Sequence, residues 1–169
     1  MIPLNIAVVT VSDTRNIDTD TSGAYLADAI ASAGHTLAAR DIVKDDKYQL
    51  RKVVSNHIAN NDIHSVILTG GTGFTERDST PEAISVLFDK AIEGFGELFR
   101  HISYEEIGTS TVQSRALAGM ANKTAIFCLP GSTGACKTAW EGILKSQLDS
   151  THKPCNFVTH FSVTDVKEK

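Results

Sequence analysis

Apolar residues are distributed along this chain in two alternating patterns. Short runs rich in β-branched residues at Leu4–Val11, Thr36–Val43, Ser65–Leu68 and Thr124–Leu129 have the length and composition of strands. Between them lie longer stretches whose apolar positions recur at helical spacing. In Thr21–Ala33 these are Tyr25, Leu26, Ala29 and Ile30, with Gly34 placed to end the helix. In Tyr48–Ile58 they are Leu50, Val53, Val54, His57 and Ile58, and in Pro81–Phe88 they are Ala83, Ile84, Leu87 and Phe88. The pattern also predicts helices over Phe95–Ile102 and Thr111–Ala118, and a closing helix over Ala135–Leu148 around Trp140. From Ser150 the chain is polar and irregular, and Thr164–Lys169 is expected to fray.

Strands alternating with helices predict an α/β fold: a three-layer α/β/α sandwich with a mostly parallel central sheet. No linker, repeat or low-complexity segment interrupts it. The expectation is one domain over residues 1–161, followed by a polar tail at 162–169. In such sheets ligands lie beyond the carboxyl ends of the strands. Three loops should meet there: Ser12–Thr21, Gly70–Ser79 and Pro130–Gly134.

Composition narrows the function classes. The 169 residues are 41% hydrophobic and 21% charged, with a formal charge of −4 and no basic run, so nothing points to nucleic acid. An anionic substrate would have to be held locally. Cys128, Cys136 and Cys155 form no C-x-x-C pair, and the histidines are scattered. Reduced thiols are expected, and neither a disulfide framework nor an all-protein metal site. The N-terminus lacks a basic leader and turns polar early, so it reads as a first core strand. No segment is long enough to span a bilayer, and a cytoplasmic location is expected.

The chemistry concentrates in residues 69–83, TGGTGFTERDSTPEA. A glycine-rich turn between a buried strand and a helix start exposes backbone N–H groups to an anion, and the glycines permit close approach. GxxxxGK[ST] is absent, and Gly71-x-Gly73 is followed by Glu76 where a third glycine would complete a dinucleotide fingerprint. Both common nucleotide devices are therefore excluded. Amides of Gly70, Gly71 and Gly73 with the Thr72 hydroxyl can clamp a phosphate. Asp78 is either a carboxylate for Mg²⁺ or a helix-start residue. Ser79-x-x-Glu82 fits a capping box, and Thr80 followed by Pro81 fits a helix start equally well. At Pro130-Gly131-Ser132 a second turn offers either a phosphate site or simple N-capping by Ser132. Ser12, with Asp13, ends the first strand at the same edge. Arg15 and Arg77 are the nearest basic residues, and Phe95, Leu98 and Phe99 read as core or subunit interface.

The longer string TGGTG-x-x-x-R-D-x-T-P-E-A resembles the signature of the molybdopterin-binding domain family of molybdenum cofactor biosynthesis, the MogA/MoaB type. Asp20-Thr21-Ser22-Gly23, Leu129-Pro130-Gly131-Ser132 and the stretch Glu93–Gly119 are similar as well, so the likeness covers the chain to about Phe157. The resemblance implies molybdopterin as ligand, its terminal phosphate at the sheet's carboxyl edge. In catalytic relatives that phosphate is adenylylated with Mg-ATP. The resemblance also implies catalytic and Mg²⁺-binding roles for Asp78 and for Asp45. Asp45 stands in Val43-Lys44-Asp45, where the family usually has a proline before the acid, and Asp46 beside it could substitute. Thr69, Gly70, Gly71, Thr72, Gly73, Ser12, Pro130, Gly131 and Ser132 become the expected phosphate and substrate contacts. Arg115 is placed near the site, on the expected Thr111–Ala118 helix. A homo-oligomer, trimer or hexamer, is likewise implied.

Overall fold

The computed structural model describes residues 1–162; the expected fraying of Thr164–Lys169 falls outside them. The chain runs β1 (Asn5–Val11), α1 (Thr21–Ser32), β2 (Thr36–Val43), α2 (Lys47–Ala59), β3 (Ser65–Thr69), α3 (Thr80–Ile84), β4 (Lys90–Ala91), α4 (Glu93–Ile107), β5 (Leu117–Ala121), β6 (Thr124–Leu129) and a closing helix from Thr133 to Gln147. The strands form one sheet in the order β2-β1-β3-β6-β5-β4. β2, β1, β3 and β6 are mutually parallel, whereas β5 runs antiparallel to both β6 and β4.

Alternation along the buried strands divides the core in two. Ile6 and Val8 of β1 point to one face, with Ile67, Phe127 and Leu129, and are covered by Leu26 and Ile30 of α1, Phe95 and Phe99 of α4 and Trp140 and Leu144 of the closing helix. Ala7, Val9 and Val11 point to the other face, with Val66, Leu68 and Ile126, under Leu50 and Val54 of α2 and Ala83 and Ile84 of α3. Successive side chains of a strand face opposite sides, so a sheet buried on both faces needs an unbroken apolar run. That is why the strand blocks were legible and the three-layer sandwich follows. From β1 the chain steps to β2 on one side; β3 then joins the other side. The crevice where the direction reverses lies at the carboxyl ends of β1 and β3.

Three elements differ from expectation. Thr111–Ala118 is not a helix: Gly108–Gln113 is a 3₁₀ turn and Leu117–Ala121 is strand β5. Its sequence, LAGMA, is rich in helix formers apart from Gly119, but pairing with β6 (Leu117 opposite Cys128, Ala121 opposite Thr124) overrides propensity. The hairpin turns through Asn122 and Lys123, both with positive φ (47° and 63°), as a two-residue primed turn. Gly119 faces the Phe88 ring, where an added Cβ would stand 2.2 Å from it. Pro81–Phe88 shortens to α3 followed by a 3₁₀ turn over Ser85–Leu87, which frees Lys90–Ala91 to pair as β4. The closing helix begins two residues earlier than expected and is widened to a π turn over Trp140–Leu144, where Trp140, Ile143 and Leu144 are buried.

Candidate functional site

A cavity of about 610 Å³ opens at the carboxyl ends of β1, β3 and β6, a size suited to a small-molecule site. Thr69, Gly70, Gly71, Thr72 and Gly73 line it, as do Asp78, Ser12, Pro130, Gly131 and Ser132. Asp45 does not.

The two glycine turns are held against each other. Gly70 donates its N–H to Leu129 O (3.0 Å), and the Thr69 hydroxyl donates to Pro130 O (3.0 Å). From the other side the Thr80 hydroxyl donates to Gly70 O (2.8 Å), and Thr80 N–H to Gly71 O (2.9 Å). Gly70 and Gly71 take positive φ, 106° and 69°. With their carbonyls turned inward to protein donors, the loop presents its other edge to the cavity. Among the described residues the N–H groups of Gly71, Thr72, Gly131 and Ser132 meet no protein acceptor, so they remain available to an anion. Ser132 caps the closing helix by accepting Ala135 N–H (3.1 Å). The Ser22 hydroxyl donates to Gly131 O (2.7 Å), tying the start of α1 to the second turn.

Asp78 does not cap α3, whose N-cap is Ser79. Its Oδ2 accepts the Thr75 N–H (2.9 Å) and hydroxyl (2.7 Å). These bonds, with a further backbone donor at Gly73, hold the carboxyl below the usual carboxylate range against a smaller opposing effect of burial. Asp78 therefore stays ionised at the cavity wall. Asp45 stands behind it: its Oδ1 accepts Ser79 N–H (3.1 Å) and the Ser79 hydroxyl (2.6 Å), and its Oδ2 would lie 2.7 Å from a Cβ added at Gly71. Asp46 is the N-cap of α2, accepting from Tyr48 and Gln49 N–H (3.0 and 2.9 Å). Asp20 caps α1 and is buried; it accepts from Thr10, Gly23 and Arg40.

The basic residues divide by role. Arg15 lines the cavity. Arg77 points outward instead, gripping Asp13 through two bonds (3.0 and 2.8 Å), and this guanidinium depresses the Asp13 pKa. Asp13 also accepts Asp45 N–H (3.1 Å), so the loops after β1 and β2 and the glycine loop are fastened together. Arg115 lies on the connection into β5. Its guanidinium donates to the carbonyls of Thr72 (3.1 Å), Gly73 and Asp78 (3.3 Å), pairs with Glu82, and sits 5.2 Å from the Phe74 ring centroid. The Glu82 carboxylate thus pairs with Arg115, and no side-chain capping bond forms at Ser79. Three loop carbonyls converging on one cation fix which way the loop's N–H groups face.

The far wall comes from residues that loop reasoning misses. Ser103, Glu106 and Ile107 of α4 and Ser110 of the following turn fall at i, i+3, i+4 and i+7, one helical face, and Thr138 of the closing helix joins them. Their spacing is present in the sequence, but only the fold turns these residues toward the glycine loop. Phe99 of the expected core stripe reaches the cavity floor, while Leu98 remains 45% exposed. Cys136 Sγ lies 3.2 Å from the Thr69 hydroxyl, and burial pushes its pKa up to about 11, so it is no nucleophile. Among the described residues no three His, Cys, Asp or Glu side chains gather as a metal cage, and no helix is long and apolar enough to cross a membrane.

A sheet-edge cavity of this kind defines a small-molecule-binding α/β protein with an anion cradle, and comparisons with known proteins give its family. Residues 7–150 match the family model described as a probable molybdopterin binding domain. Molybdenum cofactor biosynthesis protein B of Escherichia coli (strain K12) is 56% identical over 159 residues, 94% of each chain. The protein of the same name from Bacillus subtilis (strain 168) is 46% identical over 142 residues, 83% of this chain and 84% of its own. A crystal structure of a molybdenum cofactor biosynthesis protein B superposes with a TM-score of 0.85 at 43% identity, covering 87% of this chain and 92% of that one. The tungsten cofactor synthesizing protein MoaB from Pyrococcus furiosus does so at 0.73 and 37% identity, covering 86% and 92%. The chain belongs to the molybdenum cofactor biosynthesis protein B family of molybdopterin-binding domains.

Proposed function

We propose that this protein binds molybdopterin in the sheet-edge cavity and transfers AMP from Mg-ATP to its terminal phosphate. The observation that carries this reading is the pairing of two glycine turns with free amides and an ionised carboxylate, Asp78, on one wall. A terminal phosphate oxygen of the pterin attacks the α-phosphorus of ATP. The new P–O bond forms as the bond from the α-phosphorus to the α,β-bridging oxygen breaks, and pyrophosphate leaves with that electron pair. Phosphoryl and nucleotidyl chemistry of this kind rests on positioning and charge stabilisation. The amides of Gly71, Thr72, Gly131 and Ser132, with Arg15, would hold the phosphates. Mg²⁺ typically takes one or two carboxylates and completes its shell with phosphate and water, so Asp78 fits it without a protein cage; bound there, the ion would neutralise charge on the phosphates. Asp45 would serve through Ser79, whose N–H and hydroxyl it holds beside Asp78. This reading places the protein in the cytoplasm, with ATP. A trimer or hexamer is also proposed, supported by exposed Leu98, Tyr104, Ile107 and Val112; light scattering tests it.

The decisive experiment incubates the protein with molybdopterin and Mg-ATP and looks for the adenylylated pterin by mass spectrometry, with an active relative as control. Asp78→Asn should keep pterin binding and lose product. A second reading, a pterin carrier without catalysis, is favoured by Lys44 in place of the usual proline and by Asp45 Oδ1 being engaged with Ser79. Bound pterin without any AMP adduct would establish the carrier.

A further inference from the structure

The cavity's two walls differ in chemistry, and the difference identifies which part of a ligand each receives. Besides Asp78 and Asp20, a third carboxylate lines the cavity, that of Glu106 on α4. The first two already have protein donors: Asp78 Oδ2 takes both Thr75 donors, with a further backbone donor at Gly73, and Asp20 is engaged by Thr10, Gly23 and Arg40. Glu106 has no cationic partner among the described residues, and its neighbour is the Thr138 hydroxyl, 3.0 and 2.8 Å from its two oxygens. That hydroxyl also lies 3.0 Å from Gly134 O. It carries one proton, so it can satisfy at most one of a carboxylate's roughly four acceptor sites. Facing an anion cradle, an unneutralised carboxylate would repel phosphate. It suits a ligand edge that offers hydrogen-bond donors.

We propose that Glu106 is a specificity residue that binds the aminopyrimidinone edge of the pterin, accepting its ring N3–H and 2-amino N–H on the two carboxylate oxygens. The proposal rests on the reading of the cavity as a molybdopterin site and adds which wall takes the ring. Two parallel donors match a carboxylate's two oxygens, the geometry that makes such pairs strong. Adenine cannot replace the pterin there, because its exocyclic amine adjoins the N1 lone pair, which a carboxylate repels. Guanine offers the same donor pair on a base bearing ribose. Thr138, 8% exposed and anchored in the closing helix, orients the carboxylate from behind.

The test compares 6-hydroxymethylpterin with 6-hydroxymethyllumazine, which has oxygen in place of the 2-amino group, by fluorescence titration of the intact protein. A site built to pair with an N–H discriminates strongly against an analogue lacking it. Wild-type protein should bind the pterin on the order of 10- to 100-fold more tightly than the lumazine, as expected for a charge-assisted pair. Glu106→Gln, which keeps the Thr138 contact and loses one acceptor, should reduce the preference, and Glu106→Ala should abolish it by weakening pterin more than lumazine, with AMP binding changed less than about threefold. Equal wild-type affinity for pterin and lumazine, or a preference that survives both substitutions, overturns the proposal. Guanosine binding as tightly as the pterin overturns the assignment to a pterin ring. If adenylylated molybdopterin forms while the preference survives in both variants, this inference fails and the proposed transfer stands; pterin discrimination lost with Glu106 but without any adduct has the opposite meaning.

Discussion

Gly70→Ala should destabilise this protein by an amount that the backbone sets. Gly70 has φ of 106°, and an added Cβ would stand 2.4 Å from the Val11 carbonyl oxygen, an atom of the central strand that cannot swing away. A side chain held at such a φ costs roughly 1–2 kcal/mol. Forcing an extra methyl into a packed contact adds roughly 1–3 kcal/mol. The expected loss is therefore about 2–5 kcal/mol. A chain of this size loses roughly 2–4 °C of Tm per kcal/mol, so a loss of about 3 kcal/mol appears as a fall of roughly 6–12 °C in a thermal melt. Gly134→Ala is the internal control. That position lies in the first turn of the closing helix with nothing within 4 Å of an added Cβ, and alanine there should be neutral or stabilising by up to ~1 kcal/mol. A Gly70→Ala protein melting with the wild type, or a Gly134→Ala protein falling as far, would refute the idea that the Val11 contact and the positive φ dictate glycine at the cradle.

Arg115→Ala should weaken phosphate binding and cost on the order of 2–3 kcal/mol in urea unfolding, because hydrogen bonds from a charged donor to three loop carbonyls are lost and part of that loss is recovered from water; wild-type affinity for inorganic phosphate in the variant would sink the assignment. Stability should fall as the pH drops from about 7.5 to about 5.5. His35 and His64 accept the N–H groups of Leu4 and Asn5 (3.2 and 2.8 Å) through unprotonated Nδ1, and burial holds both below the ordinary 6.5. The unfolded chain takes up these protons first, so their contribution is present above 6.5 and lost as the pH falls through the folded-state values. Urea midpoints for wild type and a His35→Asn/His64→Asn double variant check this; a slope with pH unchanged in the variant contradicts it. A thiol reagent should modify exposed Cys155 at once in native protein and reach Cys128 and Cys136 only on unfolding, since burial raises both of their thiols; rapid native labelling of all three would show the core to be open.

The residues that form the phosphate cradle could be read before any folding was considered, because each carries a local requirement. Thr69–Gly73 needs glycines where φ is positive, and Pro130–Ser132 needs a cap for the helix that follows; both requirements are written in residue types at fixed spacing. Asp78 was legible as an ionised residue of the loop but not in its partner, since Thr75 could serve it only in this turn. Arg115, Glu106 and Asp45 were harder. Arg115 stands within Thr111–Ala118, a segment read as helix, and its bonds to the glycine loop span about forty positions. Asp45 appeared beside Asp78 as a metal partner, yet one oxygen is taken by Ser79 at the end of the glycine loop.

Local chemistry determined the alternation of strand and helix, the sheet buried on both faces, the glycine turns and the anion they favour. Period and residue type act within a few positions of the chain, so they can be read along it. Tertiary structure alone decided that β5 is a strand, which loop carbonyls Arg115 turns inward, which of Asp45 and Asp78 reaches the cavity, and that Glu106 faces the cradle across it. Those outcomes depend on pairings between residues distant in sequence, whose free energy exists only once the sheet and its covering helices have brought them within hydrogen-bonding range.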